Sequence, residues 1–299
     1  MQPVAWHRLG SGATARPPAN AAQEIVSVSD AVVYGPTPPV IRRFGALRVE
    51  IHPGAAALGA AAAGAIAGHM REILAQAGRL RMTVAAAPSQ GAMFTALLAE
   101  PGIDWTRVTL FHMDEFIGLP ADAPQRFARW LDRHLFDHLP GATVHRIVPE
   151  PDPDAEARRY AALLAQAPID IVCLGIGVNG HIAFNDPPVA DFDDPLDVKR
   201  VELDQVCRLQ QIDDQGFATL DDVPTHALTL TIPQMMRART LFCVVPGAHK
   251  ANAVAAALTG PISTACPASI LRRHDNCTVY LDTEAARNVP HDNAADRSH

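Results

Sequence analysis

The chain has 299 residues, of which 48% are hydrophobic and 19% are charged, and its formal net charge is −7. This length is enough for one large α/β domain or two small ones, each with a sizeable core. The negative charge and the lack of a basic block argue against nucleic acid as a partner. A net negative protein can still bind an anionic substrate through a local cationic pocket.

Neither a membrane segment nor a disulfide framework is predicted. The alanine- and glycine-rich stretch at residues 54–70 is too short to cross a bilayer and is expected to form a packed helix. The first 20 residues lack the apolar core of a secretory signal. Five scattered cysteines without a CxxC pair favour a reducing compartment. A cytoplasmic protein without a structural metal is therefore expected.

The chain divides by composition into three parts. Residues 1–43 are rich in Ala, Pro, Ser and Gly and are predicted to be a partly disordered extension, whereas residues 289–299 form a polar tail. Residues 44–288 are predicted to be a single α/β domain, because apolar runs alternate with helix-like runs. In chain order these elements are strand Leu80–Ala86, helix Gly91–Ala99, strand Val108–Met113, helix Pro124–His138, helix Asp154–Gln166, strand Ile169–Leu174, strands Ala227–Ile232 and Leu241–Val245, helix Ala248–Leu258 and strand Thr278–Leu281.

In such parallel sheets, ligands bind at the carboxyl ends of the strands, so the loops there are the candidate sites. The first loop carries Ser89, Gln90 and Gly91 directly before a helix, which suits either an anion site or a simple serine cap. The second, in "FHMDEFIGLP", places Asp114 and Glu115 after an apolar strand. Asp114 is the candidate general base, because partial burial raises a carboxylate's pKa. The structural alternative is that one of the two carboxylates caps the following turn.

The third loop lies in "IVCLGIGVNGHIAFNDPP" and matches the glycine pattern of dinucleotide-binding proteins. The Asn-Asp-Pro-Pro run ends any helix almost at once, and an acid at Glu202 is only weak support for that interpretation. A glycine loop that presents polar groups fits better, with His181 as the proton carrier near neutral pH. The presented residues are Asn179, Gly180, His181 and Asp186.

A cation follows the strand Leu241–Val245. Lys250, in "VVPGAHKANAV", lies in the first turn of a helix, where a positive charge opposes the helix dipole. Binding an anionic ligand would explain it, and a solvated surface lysine is the alternative. Cys266 has no histidine placed by sequence to activate it and is interpreted as structural.

Taken together, the segments "FHMDEFIGLP", "LGIGVNGHIAFNDPP", "HALTLTI" and "VVPGAHKANAV" resemble the glucosamine-6-phosphate deaminase (isomerase) family over about residues 44–285. The resemblance implies a three-layer α/β/α sandwich with a Rossmann-like, mainly parallel sheet. It also implies conversion of glucosamine 6-phosphate to fructose 6-phosphate and ammonia without an organic cofactor or metal. The related 6-phosphogluconolactonases share the fold, but the segment "HIAFN" resembles the deaminases more closely.

The resemblance also implies roles for individual residues. His181, supported by Asn179 and Asp186, would assist ring opening, and Asp114 would move the proton from C2 to C1. Lys250 and the Ser89–Gly91 loop would hold the phosphate, with Gly180 beside the substrate.

Four positions depart from the family pattern. Asn179 and Asp186 stand where many members have Asp and Glu, and the run from Ser89 to Met93 replaces a Thr-Gly-Gly-Thr-Pro loop. A phosphate-binding arginine of many members falls near Gln211, with Arg208 close but out of register. The acidic region Val189–Gln215 would be either solvated or a lid over the site.

Three rival functions remain open from the sequence. They are a sugar-phosphate lactonase of the same fold, a non-catalytic sugar-phosphate sensor and a dehydrogenase. The expected partner is a small sugar phosphate rather than nucleic acid or a membrane, and a homo-oligomer is compatible with the sequence.

Overall fold

The computed structural model describes residues 38–290. Most of the predicted extension and tail, residues 1–37 and 291–299, therefore lies outside the described residues. The strands are β1 (Val40–Phe44), β2 (Leu47–His52), β3 (Leu80–Val84), β4 (Val108–His112), β5 (Asp114–Phe116), β6 (Thr143–His145), β7 (Ile171–Leu174), β8 (Val198–Glu202), β9 (His226–Leu230), β10 (Thr240–Val245) and β11 (Cys277–Asp282). The α-helices are α1 (Ala55–Ala77), α2 (Gly91–Leu98), α3 (Phe127–His134), α4 (Pro153–Leu164), α5 (Gln205–Gln215), α6 (Ile232–Met236) and α7 (Ala251–Thr259).

The main sheet has eight strands in the order β1-β2-β11-β10-β7-β3-β4-β6. Only the edge strand β1 runs antiparallel to its neighbour, and every other pairing in this sheet is parallel. From β3 the chain builds outward to β4 and β6, then returns to β7 and builds the other way to β10 and β11. The sheet therefore has a topological switch point at β3 and β7, where ligand crevices form in such folds.

Both faces of the sheet are covered by helices. Alternate residues of the buried strands point to opposite faces, so Ile171 and Cys173 join one hydrophobic cluster and Val172 and Leu174 join the other. The first cluster includes α1, α2 and α3, and the second includes α4 and α7. This is the predicted three-layer arrangement, and its strands read as nearly continuous apolar runs because both faces are buried.

Residues 54–70 form most of α1, as predicted. Small residues let α1 and α2 approach closely: a Cβ added at Gly59 would lie 2.8 Å from the backbone of Ala92. No helix in the described part of the chain is long and apolar enough to cross a membrane.

A second sheet of three antiparallel strands, β5-β9-β8, corrects one prediction. The run Ala227–Ile232 was expected to be a strand of the parallel sheet, but β9 belongs to this smaller sheet. It ends at Leu230 because Pro233 lies in the first turn of α6. The same sheet contains Asp114 and Glu115, which were expected in a loop.

Two boundaries also differ from the predicted ones. Strand β1 pairs with β2 from Val40, so the sheet begins before the expected domain start at residue 44. Helix α3 is shorter than the predicted Pro124–His138, because its first N–H groups are capped at Phe127 by a carboxylate from β5. The other predicted elements form within a few residues of their expected bounds.

Candidate active site

A cavity lies at the carboxyl ends of β3, β7 and β10, at the switch point of the sheet. Its floor and walls come from the loops after these strands, from β5 and from one face of α5. The polar residues that line it are Ser89, Asp114, His181, Gln210, Gln211, Asp214, Gln215, His249 and Lys250. The sequence predicts four of these, namely Ser89, Asp114, His181 and Lys250.

Asp114 is buried in the wall of this cavity, with 6% of its surface exposed. Burial raises its pKa well above the ordinary value, and the charges of Glu115 and Asp186 act in the same direction. A carboxylate in this state holds a proton more readily than a solvated one. The position suits a general base that faces a bound molecule.

Glu115 has a structural role instead. Its carboxylate accepts hydrogen bonds from the backbone N–H groups of Phe116 (3.0 Å), Phe127 (3.1 Å) and Ala128 (3.0 Å). Burial raises the pKa of Glu115 to about 7, although these donors favour the ionised form. Glu115 thus caps α3. The sequence allowed this alternative, in which one of the two adjacent carboxylates caps the following turn.

His112 holds the backbone of Asp114 in place and was not singled out by the sequence. Its Nε2 accepts a hydrogen bond from the N–H of Ile147 at 2.8 Å, so Nδ1 carries the proton and donates to the carbonyl of Asp114 at 2.9 Å. Burial lowers the pKa of His112 to about 3, so the ring is neutral. The only feature of the sequence that could have drawn attention to His112 is its place in the "FHMDE" segment.

His181 presents its ring to the cavity, and two polar residues support it from behind. Its Nδ1 lies 2.8 Å from Asp186 Oδ1, and both side chains are buried. Burial opposes ionisation of Asp186, but the His181 ring and the Asn179 amide, with the Cys207 thiol, bring its pKa below the ordinary value. Asp186 therefore supplies a negative charge to the imidazole.

Asn179 supports His181 through the backbone and through Asp186 rather than through the imidazole. Its Oδ1 accepts a hydrogen bond from the backbone N–H of His181 at 3.0 Å, and its amide donates to Asp186 at 2.9 Å. Although Asp186 is one methylene shorter than the glutamate of many members, it reaches the ring directly. Asn179 and Asp186 thus act through His181 and do not line the cavity.

The glycines of this loop make room for the histidine rather than for a nucleotide. A Cβ at Gly177 would lie 2.1 Å from the His181 ring, so no larger residue fits there. Gly180 has φ +85° and packs against Cys266, and it does not line the cavity. A substrate contact at Gly180 stays a prediction. No helix follows it, because residues 181–190 form turns and an isolated bridge.

The turn after β3 contributes one polar side chain to the lining of the cavity. Ser89 lines the cavity, but Gln90 and Gly91 do not. Gln90 is buried and donates to the carbonyl of Val244 in β10 at 3.1 Å. The backbone N–H groups of Gln90 and Gly91 bond to carbonyls of their own turn. These two N–H groups are therefore not free to bind an anion, and a substrate contact at Gln90 and Gly91 stays a prediction.

Lys250 provides a buried cation in the cavity, in the turn that leads into α7. It has 4% of its surface exposed, and no hydrogen bond or ion pair joins its ammonium group to another of residues 38–290. Burial lowers its pKa, although the charge of Asp214 opposes this effect. A desolvated ammonium without a partner is costly, so an anionic ligand would stabilise it.

Helix α5 forms one wall of the cavity, and Gln211 is the only residue of this wall that the sequence marks. Gln210 joins it to the glycine loop, because its Oε1 accepts from the N–H of Val178 at 3.0 Å and its Nε2 donates to Asp214 at 2.7 Å. Gln211 lines the cavity, whereas Arg208 donates to the carbonyls of Leu220 and Val223 instead. The region expected to be either solvated or a lid thus includes a helix that faces the site.

One group of side chains could hold a metal ion. His181, Asp186 and Cys207 each offer one donor atom, and these atoms lie within 4.8 Å of one another. The rest of the described site has no such group.

The family model for glucosamine-6-phosphate isomerases and 6-phosphogluconolactonase matches residues 53–280. The chain belongs to this family. Glucosamine-6-phosphate deaminases of Bacillus thuringiensis (strain Al Hakam) and Bacillus cereus (strain AH820) are each 40% identical to it over 186 residues, which are 61% of this chain and 68% of the relative.

Solved structures agree with this membership of the isomerase/lactonase family. A monomeric glucosamine-6-phosphate deaminase matches with a TM-score of 0.74 and 28% identity, covering 80% of this chain and 99% of its own. A 6-phosphogluconolactonase from Shewanella baltica matches with a TM-score of 0.65 and 19% identity, covering 78% and 97% of the two chains. The second likeness shows the shared fold alone. The predicted family and fold are both confirmed.

Proposed function

We propose that this protein converts glucosamine 6-phosphate and water to fructose 6-phosphate and ammonia. The observation that carries the proposal is that Asp114 and His181 line one cavity, each with the environment that its role requires. The 40% identical relatives named glucosamine-6-phosphate deaminase support the same reaction.

Ring opening is assigned to His181. The reaction must move a proton from the C1 hydroxyl to the ring oxygen, and an imidazole can do so near neutral pH. With Nδ1 against Asp186, the other ring nitrogen is left to meet the sugar. The charge of Asp186 stabilises the imidazolium formed when His181 holds the extra proton, so Asn179 need not be ionised.

Proton transfer between carbons is assigned to Asp114. In the open-chain aldose its carboxylate takes the C2 proton, giving an enol with the amine still on C2. Return of the proton to C1 leaves an imine at C2, which water hydrolyses to the ketone and ammonia. A raised pKa suits this step, because the base must hold the proton before it returns it.

The phosphate is assigned to the end of the cavity that holds Lys250 and Ser89. The unpartnered ammonium of Lys250 would pair with the phosphate, and the Ser89 hydroxyl would donate a hydrogen bond. Gln211 stands where many members have an arginine, so it would add a neutral donor in place of a second charge. Binding energy from this remote group would orient the sugar for the proton transfers.

We further assign the protein to the cytoplasm, where sugar phosphates are its small-molecule partners. All five cysteines are free thiols, which suits a reducing compartment. Nucleic acid is not expected as a partner because the net charge is −7. A homo-oligomer stays a prediction that sedimentation analysis would test.

The test compares two substrates with the purified full chain. Glucosamine 6-phosphate should be turned over, whereas 6-phosphogluconolactone should hydrolyse no faster than in buffer. Preferred hydrolysis of the lactone would instead make the protein a lactonase. Binding of glucosamine 6-phosphate without turnover would make it a sensor.

A further inference from the structure

Three buried side chains of different chemistry meet behind the cavity. His181 and Asp186 come from the loop after β7, and Cys207 comes from the first turn of α5. All three are buried, and Asp186 and Cys207 are fully so. One nitrogen, one carboxylate oxygen and one sulfur lie within 4.8 Å of one another.

Two polar atoms in this group lack a well-directed hydrogen bond. Asp186 Oδ2 and His181 Nδ1 are buried without a hydrogen-bond partner. The contact of 2.8 Å between Nδ1 and Oδ1 is close, but it is not aligned as a hydrogen bond. Buried polar atoms in folded proteins nearly always have a hydrogen-bond partner or another ligand. Asp186 Oδ2 and His181 Nδ1 are therefore suited to bind one further ligand.

We propose that His181, Asp186 and Cys207 form a binding site for a divalent cation of the zinc class. Imidazole nitrogen, thiolate sulfur and carboxylate oxygen are the donors that Zn²⁺ prefers, at about 2.0–2.3 Å. Ligands around one tetrahedral ion lie roughly 3.5 Å apart, so small side-chain shifts suffice. As the metal–sulfur bond forms, the Cys207 thiol loses its proton to solvent.

A second groove, which shares no lining residue with the sugar cavity, reaches this site at Asp186. Glu202, Asp204 and Arg208 line it, and it reaches Asp186. The guanidinium of Arg208 is held by the carbonyls of Leu220 and Val223. The two additional carboxylates attract a cation toward Asp186, which gives the ion a route that does not cross the substrate site.

A bound ion acts against the proposed reaction. It takes the Nδ1 of His181 and the charge of Asp186, so the imidazole can no longer gain a proton with that carboxylate beside it. Bound Zn²⁺ is therefore an inhibitor rather than a cofactor. This consequence rests on the proposed function, whereas binding of the ion does not.

The test titrates the metal-free full chain with Co²⁺, a spectroscopic substitute for Zn²⁺. Cobalt bound to Cys207 gives a thiolate-to-metal charge-transfer band, which one equivalent of Zn²⁺ removes. Cys207→Ser and Cys207→Ala lose the band and bind Zn²⁺ at least about tenfold more weakly, because a ligand is missing. The matched control Cys266→Ser keeps the band, because its sulfur is not in the group.

A band that persists in Cys207→Ser, or that disappears in Cys266→Ser, overturns the site. If the Cys207 variants do not fold, X-ray absorption at the zinc edge of the wild-type protein shows whether sulfur is among the zinc ligands. One sulfur neighbour supports the site, and a shell of nitrogen and oxygen only contradicts it. Zinc binding by a protein whose metal-free form releases no ammonia would leave the site standing and refute the proposed function.

Discussion

Asp114 and Glu115 are adjacent in the chain, yet their surroundings give them different tasks. Glu115 meets three backbone N–H groups at the start of α3, whereas Asp114 faces the cavity. Strand alternation explains the difference, because neighbouring side chains in β5 point to opposite sides. Two adjacent carboxylates therefore have different roles: Glu115 caps a helix, and Asp114 faces the cavity.

Asp114→Asn should lower kcat by about 10²–10⁴-fold, because the amide cannot accept the C2 proton. The substrate dissociation constant should change little, because the side chain keeps its shape. In the wild-type enzyme, protonation of this base should abolish kcat/KM as the pH falls through a value well above that of an ordinary aspartate, because its pKa is raised. Steady-state kinetics over a range of pH measures kcat of the variant and the pH dependence of kcat/KM in the wild-type enzyme. Near-wild-type turnover in the variant would refute the assignment.

Lys250→Ala should raise KM for the phosphorylated sugar roughly 10- to 100-fold, the effect of losing a charged hydrogen bond. Lys199→Ala is the matched control, because that lysine pairs with Asp194 at 2.7 Å and does not line the cavity. Its KM should stay at the wild-type value. An unchanged KM in the Lys250 variant would place the phosphate elsewhere.

His112→Gln should reduce the pH dependence of stability. The pKa of His112 falls to about 3 on folding, so its stabilisation is complete above pH 6.5 and is lost as the pH falls toward 3. Glutamine can make both hydrogen bonds without titrating. Between pH 7.5 and 5.5 the wild-type free energy of unfolding should fall by about 1 kcal/mol more than that of the variant. The free energies are measured by urea unfolding at each pH. An equal change with pH in the two proteins would show that the ring is not held neutral.

The cavity residues that the sequence predicts share one signal. Ser89, Asp114, His181 and Lys250 each follow an apolar run that becomes a strand, and strand ends converge in a parallel sheet. The residues of α5 carry no such signal, because "QVCRLQQIDDQ" has few apolar positions and reads as a solvated segment. The hydrogen bonds that occupy the backbone N–H groups of Gln90 and Gly91 cannot be seen in composition.

At the scale of elements, the loop between β7 and β8 depends on its glycines for geometry. Gly177→Ala would place a Cβ 2.1 Å from the His181 ring, so the ring or the loop must move. A misplaced catalytic group costs about 100-fold in rate, and kcat should fall by that order. Kinetics beside a thermal unfolding curve would separate lost activity from lost structure.

Gly91→Ala is the control for that change. A Cβ at Gly91 meets nothing within 4 Å, and alanine favours the helix that begins there. Its kcat should match the wild type. Equal losses in the two variants would show that crowding at Gly177 is not what positions the histidine.

Element types were predicted best where burial on two faces leaves long apolar runs, as in β3, β7 and β10. The small antiparallel sheet was missed because β5 has three residues and β8 mixes charged with apolar positions. Strand β9 looks like a parallel strand, since it is apolar and almost wholly buried. Only its pairing with β5 and β8 distinguishes it, and pairing is not visible in one sequence.

In the molecule as a whole, the two sheets contribute different residues to the site. The parallel sheet delivers Ser89, His181 and Lys250 from three strand ends, and the antiparallel sheet delivers Asp114 through β5. Helix α5 joins them through Gln210, which bonds to the glycine loop. The base and the histidine therefore stand on separate elements, with the cavity between them.

The central claim is that these two groups together isomerise and deaminate an amino-sugar phosphate. The most direct test follows ammonium and fructose 6-phosphate in the same reaction, with glucosamine 6-phosphate as substrate and glucosamine as control. The proposed mechanism gives equal amounts of the two products and little reaction with glucosamine, and Asp114→Asn loses both products. Ammonium without fructose 6-phosphate, or both products from the Asp114 variant at the wild-type rate, would contradict it.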